Sequence, residues 1–259
     1  MFRLFAKAIV RALARLLFRV RVEGPLDIFQ SRQLLIVANH ESFLDGLILG
    51  LFLPVDPVFV VHTGVARRLY FRIILSVVDY LPVDPTSPMA MKKVIKLIQQ
   101  GRPVMIFPEG RITVTGSLMK VYEGPAFVAA KTNATIIPVR LDGPARSYFS
   151  RLSGKYPRHL FPRITVSIQR PAHIAMGESG KARERRRLAG EEMRKLMQKM
   201  LFDSRPKQTL YSGLLDAISL FGRSRRLIED ITQVEHSYGE FLKMTLAVAR
   251  AASKSTREG

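Results

Sequence analysis

The chain has 259 residues, 47% hydrophobic and 24% charged, enough for one large buried core or a core with an appendage. Cysteine is absent, which excludes disulfides, thiolate metal sites and cysteine nucleophiles together. Forty-one Lys and Arg against 21 Asp and Glu give a net charge of +20, so the partners to consider are polyanions: nucleic acid, an anionic bilayer or an acidic protein.

Residues 1–22 carry six basic residues (Arg3, Lys7, Arg11, Arg15, Arg19, Arg21) and no acidic one. The four-residue spacing of the first five is helical and advances about 40° per step, which draws a slanting basic stripe. Phe2, Leu4, Phe5, Ile9, Val10, Leu13, Leu16, Leu17 and Phe18 cover the rest of such a helix. The pattern predicts an interfacial helix in the headgroup plane of an anionic membrane. A secretory signal fits less well, because arginine interrupts each apolar stretch and no small-residue cleavage site follows. The plain structural alternative is a helix docked on the domain. No segment is expected to cross a bilayer: the longest run free of charged residues is ten residues (Gly46–Val55, Pro57–Ala66), against about 20 for a spanning helix.

Beyond residue 22, short apolar runs at Leu34–Ala38, Val58–Val61, Val104–Phe107, Thr135–Val139 and Ile164–Ile168 predict strands. Helical patterns fall between them at Phe43–Phe52, Val65–Leu75, Met89–Gln99 and Pro125–Thr132, and Lys181–Arg187 opens a further helix with a solvated basic face. This alternation predicts an α/β domain with a mixed, mostly parallel sheet flanked by helices. After Asp203 the texture becomes helical only, with one segment reaching Phe221, a basic turn at Arg223, Arg225 and Arg226, and a last amphipathic stretch from Ser237 to Ala252.

Polar residues interrupt the first predicted strand at Asn39-His40-Glu41-Ser42-Phe43-Leu44-Asp45-Gly46. On one continuous helix His40 and Asp45 would lie about 140° apart. With His40 on the strand-to-helix loop and Asp45 on the first turn they can meet. A carboxylate on one imidazole nitrogen then leaves the other free to take a proton, as a general base does. Ser42-x-x-Asp45 also fits a capping box with Ser42 as N-cap, which needs no catalysis. The third strand ends in Phe107-Pro108-Glu109-Gly110-Arg111, where glycine allows close backbone approach and arginine can fork onto a phosphate. Ile136-Ile137-Pro138-Val139 is most simply a buried strand with a proline near its edge. Gly177-Glu178-Ser179-Gly180-Lys181 lacks the first glycine and the magnesium hydroxyl of a P-loop, and no Gly-x-Ser-x-Gly elbow exists. His40, His62, His159, His173 and His236 share no ligand spacing, so no metal or cofactor is expected. No nucleic-acid recognition motif accompanies the charge.

Asn39-His40-x4-Asp45, then Phe107-Pro108-Glu109-Gly110, then Ile137-Pro138-Val139 resembles in order and spacing the glycerolipid acyltransferase family, which includes the bacterial lysophosphatidic acid acyltransferases. The stretch PVDPTSPMAMKK, the run GRPVMIFPEGRITVTGSLMK and the helical tail look like the acyltransferase half of the bacterial bifunctional enzymes that join 2-acylglycerophosphoethanolamine acyltransferase to acyl-acyl-carrier-protein synthetase. This resemblance extends over essentially all of the chain and implies a glycerolipid acyltransferase-like fold. Behind the membrane-surface helix of 1–22 it implies an acyltransferase domain over 23–203 and, over 204–259, a helical linker and the start of a further, adenylating domain that begins near Ser237.

The implied catalytic pair is His40 and Asp45, with Glu109, Gly110 and Arg111 placing the glycerophosphate of the acceptor. The implied partners are a lysophospholipid acceptor, acyl carrier protein or acyl-coenzyme A as donor, and the cytoplasmic face of the bacterial inner membrane, where the protein would be peripheral or monotopic. The family usually has arginine after the aspartate of its second motif and threonine then arginine after the glycine of its third. Here Asp84-Pro85 and Arg111-Ile112 stand at those places, and His62 stands where lysine is common. Fewer phosphate cations favour an acceptor whose phosphate already bears a head group, such as lysophosphatidylethanolamine. The alternatives are a 1-acylglycerol-3-phosphate acyltransferase and a non-catalytic basic protein that binds membranes or nucleic acid.

Overall fold

The structure is a computed structural model that describes residues 2–66, 78–84, 88–152, 154, 156–177, 181–205 and 207–255. The predicted helix Val65–Leu75 falls mostly outside them; within them only a helical turn at Thr63–Ala66 is seen. The chain divides into two compact units, one of residues 1–153 and 158–205, the other of 154–157 and 206–259.

The larger unit is built on a seven-stranded sheet of β1 (Arg21–Glu23), β2 (Leu34–Ala38), β3 (Val58–His62), β4 (Asp79–Val83), β5 (Val104–Ile106), β6 (Thr135–Asp142) and β7 (Thr165–Ile168). Their order across the sheet is β1-β7-β6-β2-β5-β3-β4. All neighbours are parallel except β6 and β7, so the sheet is mixed and mainly parallel, with helices on both faces. At its centre β2 is fully buried, all five side chains at 0% exposure. Alternation divides these side chains between two cores. Leu34, Ile36 and Ala38 join Met105, Ile137 and Leu141 on the face covered by α1 (Phe2–Leu17) and α2 (Asp45–Phe52). Leu35 and Val37 join Val104, Ile106 and Ile136 on the face covered by the helices Pro88–Gln99, Glu123–Thr132 and Ala182–Asp203. At about 1.5–3 kcal/mol per buried aliphatic side chain, this double-sided burial holds β2 in register and fixes where its C-terminal loop begins.

Pro138 lies inside the sheet and not near an edge, since β6 runs between β2 and β7. It is tolerated because β7 pairs only with Val139–Asp142, and beyond that the chain meets Ile136 again through Ala172. The missing N–H falls in this gap, where the Pro138 carbonyl still accepts from the Gln169 amide at 2.9 Å.

The N-terminal helix stops at Leu17, short of the predicted 22 residues. Arg19 takes a left-handed backbone (φ 46°) and Arg21 starts β1. Val10, Ala14 and Phe18 pack on the core. Lys7 pairs with Asp56, and the guanidinium groups of Arg11 and Arg15 each sit 5.5 Å from the centre of the Phe52 ring. Phe5, Ile9, Leu13 and Leu16 are exposed, Leu16 at 75%. Docking and membrane contact are therefore compatible: described cations of the stripe hold the helix to the domain, and an apolar face is left outward.

The smaller unit is not all helical. Between the helices Leu210–Phe221 and Tyr238–Ser255 lies a hairpin of Arg226–Glu229 and Glu235–Ser237, where the sequence predicts only a basic turn. The Tyr238–Ser255 helix opens with a capping box, Ser237 N–H to Glu240 Oε2 at 2.8 Å and Glu240 N–H to Ser237 Oγ at 3.3 Å. Among the described residues no helix is long and apolar enough to cross a membrane.

Candidate active site

Parallel pairing of β2 with β5 and β6 sends three strand ends to the same side of the sheet. The register Val37↔Ile106 carries forward so that the loops after Ala38 and Ile106 emerge together, and Val37↔Pro138 brings the end of β6 up beside them. Motifs some 60 residues apart in sequence thus become neighbours, as strand ends of an α/β sheet do.

His40 Nδ1 donates to Asp45 Oδ2 at 2.8 Å, with the Asp45 side chain fully buried and the His40 side chain 19% exposed. The same Asp45 oxygen accepts the Glu41 N–H at 2.6 Å and the Ser42 N–H at 2.9 Å, and Oδ1 accepts the Ser42 hydroxyl at 3.0 Å. Four donors hold this carboxylate in place at the start of α2. Because a carboxylate can only accept, the imidazole carries its proton on Nδ1 and its Nε2 lone pair is left for chemistry. The ring is stacked on Phe107, centroids 4.0 Å apart and planes 13° apart. The loop turns back on itself as the sequence requires, but the capping box is only half made. The helix begins at Asp45 with Leu44 as N-cap, and Ser42 Oγ accepts from Leu44 N–H instead of from the N3 amide.

Glu109 is 2% exposed, and its two oxygens are taken by backbone amides, His40 N–H at 3.2 Å and Met119 N–H at 2.9 Å. Burial raises its pKa, and those two bonds oppose the rise. Gly110 has φ 65°, and a Cβ there would come within 3.1 Å of the Tyr122 ring, so glycine meets a conformational and a packing need at this turn. Arg111 is exposed. Ile112, where the family resemblance leads one to look for a cation, is buried at 4%. His62 ends β3 with Nδ1 accepting the Gly64 N–H at 2.9 Å, and of the second motif Asp84 is described whereas Pro85 is not.

Sequence reasoning gave no role to several residues that build this site. Asn39 clamps β6, accepting from Leu141 N–H at 2.8 Å and donating to Leu141 O at 2.9 Å and to Glu41 Oε1 at 3.1 Å. Thr113 N–H donates to the His40 carbonyl at 2.8 Å. Glu41 Oε2 accepts the Ala145 N–H at 3.1 Å. Desolvation, with repulsion from Asp45 and Asp142, lifts the Glu41 pKa to about 8, against the Ala145 bond and Arg140, which lower it. An uncommon acidic residue beside a candidate base was the available signal for Glu41. Phe107, Asn39 and Thr113 act through stacking and backbone contacts, which leave little trace in a sequence. Among the described residues no cluster of histidine and carboxylate side chains could hold a metal ion.

A histidine oriented by a buried carboxylate at the strand ends of a mainly parallel sheet, with no serine among the described residues bonded to its other nitrogen, suits direct transfer between a bound hydroxyl and an activated carbonyl. Residues 19–142, which contain every one of these groups except Ala145, match the family model described as Acyltransferase. Over 134 residues the chain is 30% identical to the chloroplastic 1-acyl-sn-glycerol-3-phosphate acyltransferase of Arabidopsis thaliana, covering 50% of this chain and 37% of that protein. Over 127 residues it is 28% identical to the 1-acyl-sn-glycerol-3-phosphate acyltransferase of Borreliella burgdorferi, covering 48% of this chain and 51% of that one. The match thus spans about half or less of these relatives' own length. The crystal structure of the 1-acyl-sn-glycerophosphate acyltransferase PlsC from Thermotoga maritima superposes with a TM-score of 0.55 over 80% of this chain and 83% of that one, at 19% identity, which establishes the fold.

Proposed function

We propose that this protein transfers a fatty acyl group from a carrier thioester to the free hydroxyl of lysophosphatidylethanolamine or a related lysophospholipid at the cytoplasmic face of the bacterial inner membrane. The observation that carries the reading is the His40–Asp45 pair, bonded at 2.8 Å with Nε2 left for chemistry. The acceptor hydroxyl gives its proton to Nε2 as its oxygen bonds to the thioester carbonyl carbon. Collapse of the tetrahedral adduct breaks the carbon–sulfur bond, and the imidazolium returns the proton to the departing thiolate. Asp45 stabilises the imidazolium between these steps. The arrangement of Glu109 supports a positioning role, since it ties the His40 backbone to the Met119 loop. Arg111, exposed on the next turn, is left as a contact for the acceptor.

Burial of Ile112 supports an acceptor with a single phosphate charge over lysophosphatidic acid, whose phosphomonoester approaches two. The second reading, 1-acylglycerol-3-phosphate acyltransferase, is favoured by the relatives' activities. Acyl carrier protein suits the donor role through charge, because Arg158, Arg163 and Arg170 are exposed on a stretch without acidic residues. Competition between lysophosphatidylethanolamine and lysophosphatidic acid at equal concentration, run with carrier-protein and coenzyme A donors across a salt series, tests this. Preference for the first acceptor, with a carrier-protein advantage that fades as salt rises, is expected. Preference for lysophosphatidic acid moves the assignment to the second reading.

A further inference from the structure

Resting on the proposed function, we infer that Arg151 is the phosphate-binding residue of the acceptor site, presented to the catalytic loop by the segment 143–152. This segment lies outside the residues matched to the family model, and two sets of contacts fasten it to the loop that carries His40. At one end Ala145 N–H donates to Glu41 Oε2 at 3.1 Å. At the other, Phe43 N–H donates to the Phe149 carbonyl at 3.2 Å, and Ser42 and Ser150 form an antiparallel bridge. The segment's own path is constrained as well: a Cβ on Gly143 would lie 2.0 Å from the Arg163 carbonyl oxygen, and Ser147 Oγ donates to the Pro144 carbonyl at 2.7 Å.

These anchors act on Arg151 directly. Its neighbours Ser150 and Leu152 are 7% and 2% exposed, and the Leu152 N–H donates to Ser150 Oγ at 3.1 Å, so the backbone is pinned on both sides of an exposed side chain. The guanidinium lies 5.4 Å from the centre of the Phe43 ring, and Phe43 stands between His40 and Asp45 in the catalytic loop. A guanidinium held over an aromatic ring keeps N–H donors that can grip two phosphate oxygens. Its neighbours in the same stretch are otherwise engaged: Arg146 faces Asp142 at 3.9 Å and Arg158 lies over Tyr148. The acceptor's phosphate is only a few bonds from its reacting hydroxyl, so a cation one loop residue away from the His40–Asp45 pair is placed to hold it.

The test compares wild type with Arg151→Gln, Arg151→Lys and the control Arg187→Gln on the solvated face of the Ala182–Asp203 helix, each checked for an unchanged melting curve. It measures KM and kcat for lysophosphatidylethanolamine and competitive inhibition by glycerophosphoethanolamine. Arg151→Gln should raise KM and the inhibition constant together by tenfold or more, with kcat within twofold. Arg151→Lys, which keeps the charge without the fork, should fall between, and Arg187→Gln should match wild type. Unchanged KM and inhibition in Arg151→Gln would overturn the inference, and so would a fall in kcat alone, which would mean that the residue acts by bracing the loop. If wild type acylates no lysophospholipid, the proposed function fails separately. Calorimetric binding of glycerophosphoethanolamine to wild type and Arg151→Gln then still decides the arginine's role, equal affinities counting against it.

Discussion

At the His40 loop one carboxylate accepts four hydrogen bonds while a second, Glu41, sits close enough to be repelled by it. The two respond to burial in different ways. Asp45 is surrounded by donors, whereas Glu41 has Asn39 and Ala145 and is held near a pKa of about 8. A carboxyl whose folded pKa lies above its unfolded value binds its proton more tightly in the native state. Its contribution to stability is fully present below about pH 4.5 and is lost as the pH rises towards 8. Glu41→Gln removes that titration. Gln cannot accept from both amides, so the variant carries a fixed penalty, but its stability relative to wild type should improve steadily between those two pH values in urea melts. A difference that stays flat with pH would show that Glu41 does not titrate there. At the same scale, the buried Glu109 carboxylate shows how a motif residue can serve the backbone of its neighbour, accepting the His40 N–H on one oxygen and the Met119 N–H on the other.

Among the elements, α1 couples fold to surface. Its inner side, Val10 and Ala14, packs with Phe18 just past its end on the core, so Phe18→Ala should cost about 3 kcal/mol or more of stability. Its outer side, Phe5, Ile9, Leu13 and Leu16, touches solvent and should matter little to folding. Changing Phe5, Leu13 and Leu16 to serine is expected to leave the melting temperature within a few degrees and to weaken sedimentation with anionic vesicles severalfold. Vesicle binding unchanged by these substitutions would separate the helix from the membrane.

The strands and helices of the centre were legible because their residues are buried on both faces and read as uninterrupted apolar runs, as in Leu34–Ala38. The edges were not. β1 (Arg21–Glu23) and β4 (Asp79–Val83) lie at the two ends of the sheet, half-exposed, and carry Arg21, Glu23, Asp79 and Pro82, which mask a strand signal. The hairpin starting at Arg226 was hidden in the same way by charge. For the site, His40 and Asp45 could be paired from spacing and chain reversal alone. The approach of Ala145 and Arg151 could not, since it depends on β6 lying beside β2 and on backbone hydrogen bonds that any side chain permits.

For the molecule as a whole, a net charge of +20 gives an attraction to anionic surfaces and carriers that salt screens, the Debye length falling from about 10 Å at 0.1 M to about 3 Å at 1 M. Charge of this kind governs encounter, and in the proposed mechanism the chemical step belongs to the His40–Asp45 pair. Binding to vesicles and transfer of the acyl group should therefore separate under mutation. The most direct measurement is the rate of labelled acyl transfer from acyl carrier protein to lysophosphatidylethanolamine by folded, vesicle-bound wild type, His40→Ala and Asp45→Asn. The account predicts a loss on the order of 10² to 10⁴ for His40→Ala, approached by Asp45→Asn, with vesicle binding intact in both. Turnover near that of wild type in folded His40→Ala would contradict it.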